Sequence, residues 1–262
     1  MLFGEYERYQ YARSPLVEVI CQLRFPAILS ISAKEPVEFQ ESVRQEFPRY
    51  AVRQEPQPPK LVPGPNPTVQ PQPAVTNYNF VSEDGLWKLN LTNSFIALST
   101  LRYQHWEDFA ARLDRPLAQF IQIYRPSFFE RIGLRYVNAV SRRSLGLEGE
   151  LWDDRIQPLY LGALGEPDVD EKQVTKSALD MDMGLEGGIH MKVHAGPGLL
   201  RGGKEDPETK FILDSDFSVS GNENAGQVPG KLEELHRYAV RLFRGAITSE
   251  LHNAMGPIPS VG

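Results

Sequence analysis

From Pro15 the chain alternates. Val17, Val19, Cys21, Leu23 and Phe25 share one face of PLVEVICQLRF, and Glu18, Gln22 and Arg24 share the other, the period-two pattern of a half-buried strand that Pro26 ends. Phe39, Val43 and Phe47 then recur every four residues, which predicts a short amphipathic helix with Pro36 in its first turn and Pro48 after it. In TNYNFVSEDGLWKLNLTNSFIALSTL the turn residues Glu83-Asp84-Gly85 and Asn93-Ser94 separate three strands. The middle strand places Trp87, Leu89 and Leu91 inward and Lys88, Asn90 and Thr92 outward. HWEDFAARLDRPLAQFIQIY follows with a helical stripe of Phe109, Leu113, Leu117, Phe120, Ile121 and Tyr124, and Pro116 predicts a kink.

The second half repeats the order. A strand at 128–140 leads to a short helix near 151–161, strands near 174–183, 188–195 and 210–219, and a long helix over 231–255. Two tandem β-α-β-β-β-α halves, 1–126 and 127–262, predict one compact α+β unit: an antiparallel sheet with the long helices packed on one face. Local matches support a repeat. Leu23-Arg24-Phe25 parallels Leu134-Arg135-Tyr136, and Trp106-Glu107-Asp108-Phe109 parallels Leu232-Glu233-Glu234-Leu235 at an offset of 126, which also relates Leu117 to Phe243 and Ile121 to Ile247. In element order alone this resembles the duplicated saddle of TATA-box-binding-protein-like folds, a likeness that transfers no function.

The segment 55–74 interrupts the first half. Eight prolines from Pro56 to Pro73 bias it towards polyproline II, so it reads as a loop or extended arm, either a surface excursion or a docking segment.

Composition narrows the classes. A net charge of -6 argues against a broad basic footprint for nucleic acid. A single cysteine, Cys21, forms no internal disulfide and falls on the inward face of its strand, where burial argues against a nucleophilic role. MLFGEYERYQYARS mixes charge where a secretory signal would be apolar, and no apolar run approaches the ~20 residues of a membrane span. A cytoplasmic protein without a membrane association is expected.

The densest chemistry is in SALDMDMGLEGGIHMKVH. A turn centred on Glu186 predicts Asp182 opposite His190, Asp180 opposite Lys192 and Met181 opposite Met191. Leu179, Met181, Met183, Ile189, Met191 and Val193 take the other face, and the next strand adds Asp214 and Asp216 to the polar side. His190 and His194, four residues apart at ~3.3 Å per residue, are too far apart to share an ion, so no metal or cofactor is assigned. Arg24, Arg131 and Arg135 also lie outward, with Gly133 between the last two. They could cradle an anion or a phosphate, or pair with the Asp-rich strands beside them. GPGLLRGGKEDPETK lacks the phosphate-loop pattern and predicts a mobile loop. His236 and His252 read as exposed helical positions and His105 as preceding a helix; no nucleophile and base pair by spacing, and no catalytic residue is assigned.

PLVEVICQLRFP, ERIGLRYVNAV and LFRGAITSELHNAMGP resemble a sporadically distributed family of uncharacterised bacterial proteins of similar length. The resemblance spans nearly the whole chain, and its motifs imply structure without catalytic residues. Patchy distribution implies mobile genes, often in defence or toxin-related loci.

The expected function is a non-enzymatic cytoplasmic binding or adaptor protein. It would meet a protein partner through Arg24, Arg131, Arg135, Asp180, Asp182, His190, Lys192, Asp214 and Asp216. A nucleic-acid binder using the arginines and a metal-dependent hydrolase using the Asp/His face are the alternatives. The oligomeric state is not legible in the sequence.

Overall fold

A computed structural model describes residues 2–62, 68–200 and 206–259. The alternation after Pro15 becomes β2 (Leu16–Arg24), preceded by β1 (Tyr9–Tyr11). Then come α1 (Leu29–Ala33), α2 (Val37–Val43), β3 (Arg49–Val62), β4 (Thr68–Val81), β5 (Trp87–Leu91), β6 (Phe95–Thr100) and α3 (Trp106–Tyr124). The rest of the chain forms β7 (Phe129–Val140), α4 (Arg142–Leu145), α5 (Pro158–Leu161), β8 (Leu179–Gly184), β9 (Ile189–Gly198), β10 (Lys210–Glu223), α6 (Val228–Ala246), α7 (Ser249–Ala254) and β11 (Pro257–Pro259).

Among the described residues nine strands form one antiparallel sheet in the order β3-β4-β5-β6-β2-β7-β10-β9-β8, and β1 pairs with β11. The seam is β2 against β7. There Gln22 faces Gly133, Cys21 faces Leu134 and Leu23 faces Ile132. The two Leu-Arg-aromatic triplets are thus symmetric about the Gln22/Gly133 pair. Outward from the seam the order is β2-β6-β5-β4 on one side and β7-β10-β9-β8 on the other, with β3 as an extra edge strand. The protein is α+β, a large antiparallel sheet with helices packed on it.

α3 and α6 cover the apolar side because their stripes have nowhere else to bury. Phe120 of α3 packs on Phe25 and Phe109 on Trp87, while Tyr238 of α6 stacks on Phe217 of β10. Phe109 and Leu235 are fully buried, so truncating either to Ala costs about 3–5 or 2–5 kcal/mol respectively. The buried positions Trp106, Phe109, Leu113, Pro116 and Phe120 have buried counterparts 126 residues on in Leu232, Leu235, Ala239, Leu242 and Ala246.

Four expectations need correction. The Pro-rich segment is largely paired: β3 and β4 form a long ribbon from Arg49 opposite Val81 to Val62 opposite Thr68, with register shifts at Glu55/Gln57 and Gln57/Lys60. Proline has no amide hydrogen to donate, but an edge strand and a bulge do not require one, and Pro56, Pro58 and Pro59 sit at those shifts. Pro63, Pro65 and Pro67 lie outside the described residues. Second, the helix predicted over 231–255 is two helices: Ile247 is extended and bridges Ile156, and the Thr248 hydroxyl accepts from the Leu251 amide to start α7. Third, α3 is a single helix through Pro116, which is buried on its inner face. It ends at Arg125 in the left-handed region, with φ 48°. The loop predicted over 196–210 begins later than expected, since Gly196–Gly198 pair with Lys210–Ile212, and 201–205 lie outside the described residues.

Candidate functional site

The sheet face opposite the helices carries the charged residues singled out by sequence. Register lines run across it: Ile20, Arg135, Asp216, Lys192 and Asp182 stand side by side on five strands, and Gln22, Gly133, Ser218 and His190 form the next line. The ion pairs form diagonally. Arg135 binds Asp214 through Nε and Nη2 at 2.7 and 2.5 Å, and Arg131 reaches both oxygens of Asp216 at 2.7 and 2.8 Å. Arg131 does so by lying across Gly133, where a Cβ would collide with its guanidinium. The anion cradle suggested by two arginines around a glycine is therefore filled by the protein's own carboxylate. Arg24 is exposed, opposite Arg131, and has no ion pair among the described residues.

The β8–β9 hairpin differs from the predicted register by two residues. Asp180 faces His194, Asp182 faces Lys192 and Gly184 faces His190. The connection from Leu185 uses two left-handed glycines, Gly187 and Gly188 at φ 69° and 74°, and so is centred on Gly187, one residue beyond Glu186. A shift of two keeps every side chain on its face, so the division into polar and apolar sides is unaffected. Asp182 contacts both His190 and Lys192, at 2.5 and 3.1 Å, and these contacts hold its carboxyl below the usual range, the Lys192 hydrogen bond contributing most. His194 pairs with Asp180 at 2.7 Å. Exposed pairs of this kind contribute ~0–1 kcal/mol each. Among the described residues no group of three or more His, Cys, Asp or Glu is placed to hold a metal ion.

A second feature was not foreseen. A cavity of about 420 Å³ lies between β1, β11, β7, α6 and the segment leading into α3. Its wall contains a polar chain. The Tyr103 phenol approaches the Tyr136 hydroxyl, which is 2.8 Å from Nδ1 of His236. Burial, assisted by Arg8, pushes the His236 pKa down to about 3, and burial raises the Tyr136 hydroxyl well above its ordinary value. Both groups are neutral at physiological pH. The phenol and the neutral imidazole therefore share one hydrogen bond at Nδ1, which leaves Nε2 as the second polar atom of the ring. Trp106 stacks on the His236 ring at 4.6 Å and 8°, and its Nε1 donates to Glu233. Arg8 binds Glu107 twice, at 2.6 and 2.9 Å, holding that carboxyl at about 2.

His236 and His252, predicted as exposed, are buried at 5% and 8% accessibility. Trp106 and Tyr136 cover His236, and the N-terminal segment covers His252 and the neighbouring face of α6. Tyr11 bonds His252 Nδ1 at 2.8 Å, Phe3 packs on Tyr238 and Phe217, and Arg241 holds the carbonyls of Phe3 and Gly4. One signal was available: His236 stands four residues after Leu232, within the buried stripe of α6. His105 caps α3 by accepting from the Asp108 amide.

The chain matches no protein-family model and no curated protein, so its functional reading rests on this geometry. No helix among the described residues is long and apolar enough to cross a membrane.

Proposed function

We propose that this chain is a non-enzymatic binding or adaptor protein that engages a protein partner through the β3–β4 ribbon and the adjoining open sheet face. The ribbon carries the reading. Tyr78–Val81 of β4 pairs with β5, and from Thr76 outwards the two strands hydrogen-bond to each other and, among the described residues, to no further strand. Leu61 and Val69 face each other there at 63% and 65% exposure, with Val52 also exposed. Free strand edges and unburied apolar side chains suit a protein surface. The saturation of Arg131 and Arg135 by Asp216 and Asp214 favours a protein over a nucleic acid, whose phosphates need uncommitted cations.

A cytoplasmic setting, membership of the sporadically distributed bacterial family and origin by tandem duplication belong to the same proposal. Supporting the last are the matching strand order on both sides of the β2/β7 seam and the buried positions shared at an offset of 126.

Purification from the native host compares the wild type with Leu61→Asp/Val69→Asp and with Arg135→Glu. A stoichiometric protein retained by the wild type and lost at least about fivefold in the ribbon variant, with the fold intact, is the expected result. Equal recovery with all three proteins, or a nuclease-sensitive companion, overturns the reading.

A further inference from the structure

We propose that the cavity between β1, β7 and α6 is a binding site for a small aromatic molecule bearing one acidic group. Its volume of about 420 Å³ falls in the range of small-molecule sites, and Tyr11, Tyr103, Tyr136 and Phe243 contribute aromatic surface to its wall. Flat rings fit such walls by stacking or edge contacts.

Two groups define the polar part of the ligand. His236 lines the cavity and is only 5% exposed. Its Nδ1 is occupied by Tyr136, while Nε2 has no hydrogen-bond partner among the described residues. A polar ligand atom at Nε2 completes the hydrogen bonding of the imidazole. The second group is Arg244. It lines the same cavity with its guanidinium 5.1 Å from the centre of the Tyr6 ring, and it pairs with no carboxylate among the described residues. The remaining charged groups of the wall are engaged: Arg8 by Glu107, and Glu7 by the Tyr9 hydroxyl at 2.7 Å. Arg244 is thus the wall cation left to receive an anion, and a guanidinium binds an oxyanion with paired donors.

The site is separate from the ribbon, so its test is independent of the adaptor reading. The probe is 1-anilinonaphthalene-8-sulfonate, a fluorescent aromatic acid, compared with its uncharged analogue N-phenyl-1-naphthylamine. The expected result is saturable one-to-one binding of the acid by the folded protein. Arg244→Gln should weaken the acid at least about tenfold while leaving the neutral analogue within about threefold. Ala239→Trp, which fills the cavity from α6, should remove both. Arg244→Gln changes a partly exposed side chain, so it keeps the test decisive even where Ala239→Trp fails to fold. Absence of saturable binding by the wild type, or an affinity for the acid unchanged in Arg244→Gln, overturns the proposal.

Discussion

The Tyr136 hydroxyl lies 2.8 Å from Nδ1 of His236, tying β7 to α6 across 100 residues of sequence beneath the Trp106 ring. Both side chains are buried, so the bond is shielded from bulk water. Tyr136→Phe leaves the imidazole Nδ1 without its hydrogen-bond partner, and the expected loss is about 1–3 kcal/mol. Urea denaturation at pH 7 measures it. An unchanged midpoint would show that the bond contributes no net stability.

The same histidine makes stability depend on pH. Its pKa is about 3 when folded against an ordinary 6.5, so the unfolded chain takes up a proton that the folded chain refuses. Stability from this group is fully present above 6.5 and is lost as pH falls towards 3, at about 1.4 kcal/mol per pH unit inside the window. His252 is depressed in the same direction by burial. Denaturation between pH 6.5 and 5 should therefore show a shallower slope for His236→Gln, by close to one proton. That interval lies above the ordinary carboxylate range. Parallel slopes for variant and wild type would contradict the assignment.

Gly133 makes room for the Arg131–Asp216 pair. In Gly133→Ala the new methyl group displaces the guanidinium and breaks a half-buried ion pair in which one guanidinium nitrogen meets both carboxylate oxygens, so a loss of about 0.5–1.5 kcal/mol is expected. The same substitution in an Arg131→Ala background should be close to neutral. A double-mutant cycle by chemical denaturation measures the coupling, and additivity would show that the glycine serves some other contact.

Replacing 57–72 with a two-residue turn removes the outer ribbon but leaves the β4–β5 pairing at Tyr78–Val81 in place. Thermal unfolding should remain cooperative, with stability within about 1 kcal/mol of the wild type. Loss of the cooperative transition would mean that the ribbon is part of the core.

Periodicity alone determined much of the architecture. The alternation of β2 and β5, the stripe of α3 and the turn at Gly85 depend on neighbours within a few residues, and they set which side chains face inward. The polar and apolar sides of β8 and β9 were legible for the same reason, even though their pairing was displaced by two residues. The partner of each charge was not legible. Arg135 faces Asp216 in register yet binds Asp214, because a long side chain reaches a diagonal neighbour and Arg131 already occupies Asp216. Nor could helical period show that α6 is covered on a second side. Tyr9–Tyr11 and Pro257–Pro259 pair although far apart in sequence, and the cavity and the position of Arg244 at its wall follow from that long-range contact. Local pattern assigns a residue to a face, whereas what lies against that face depends on segments hundreds of residues away.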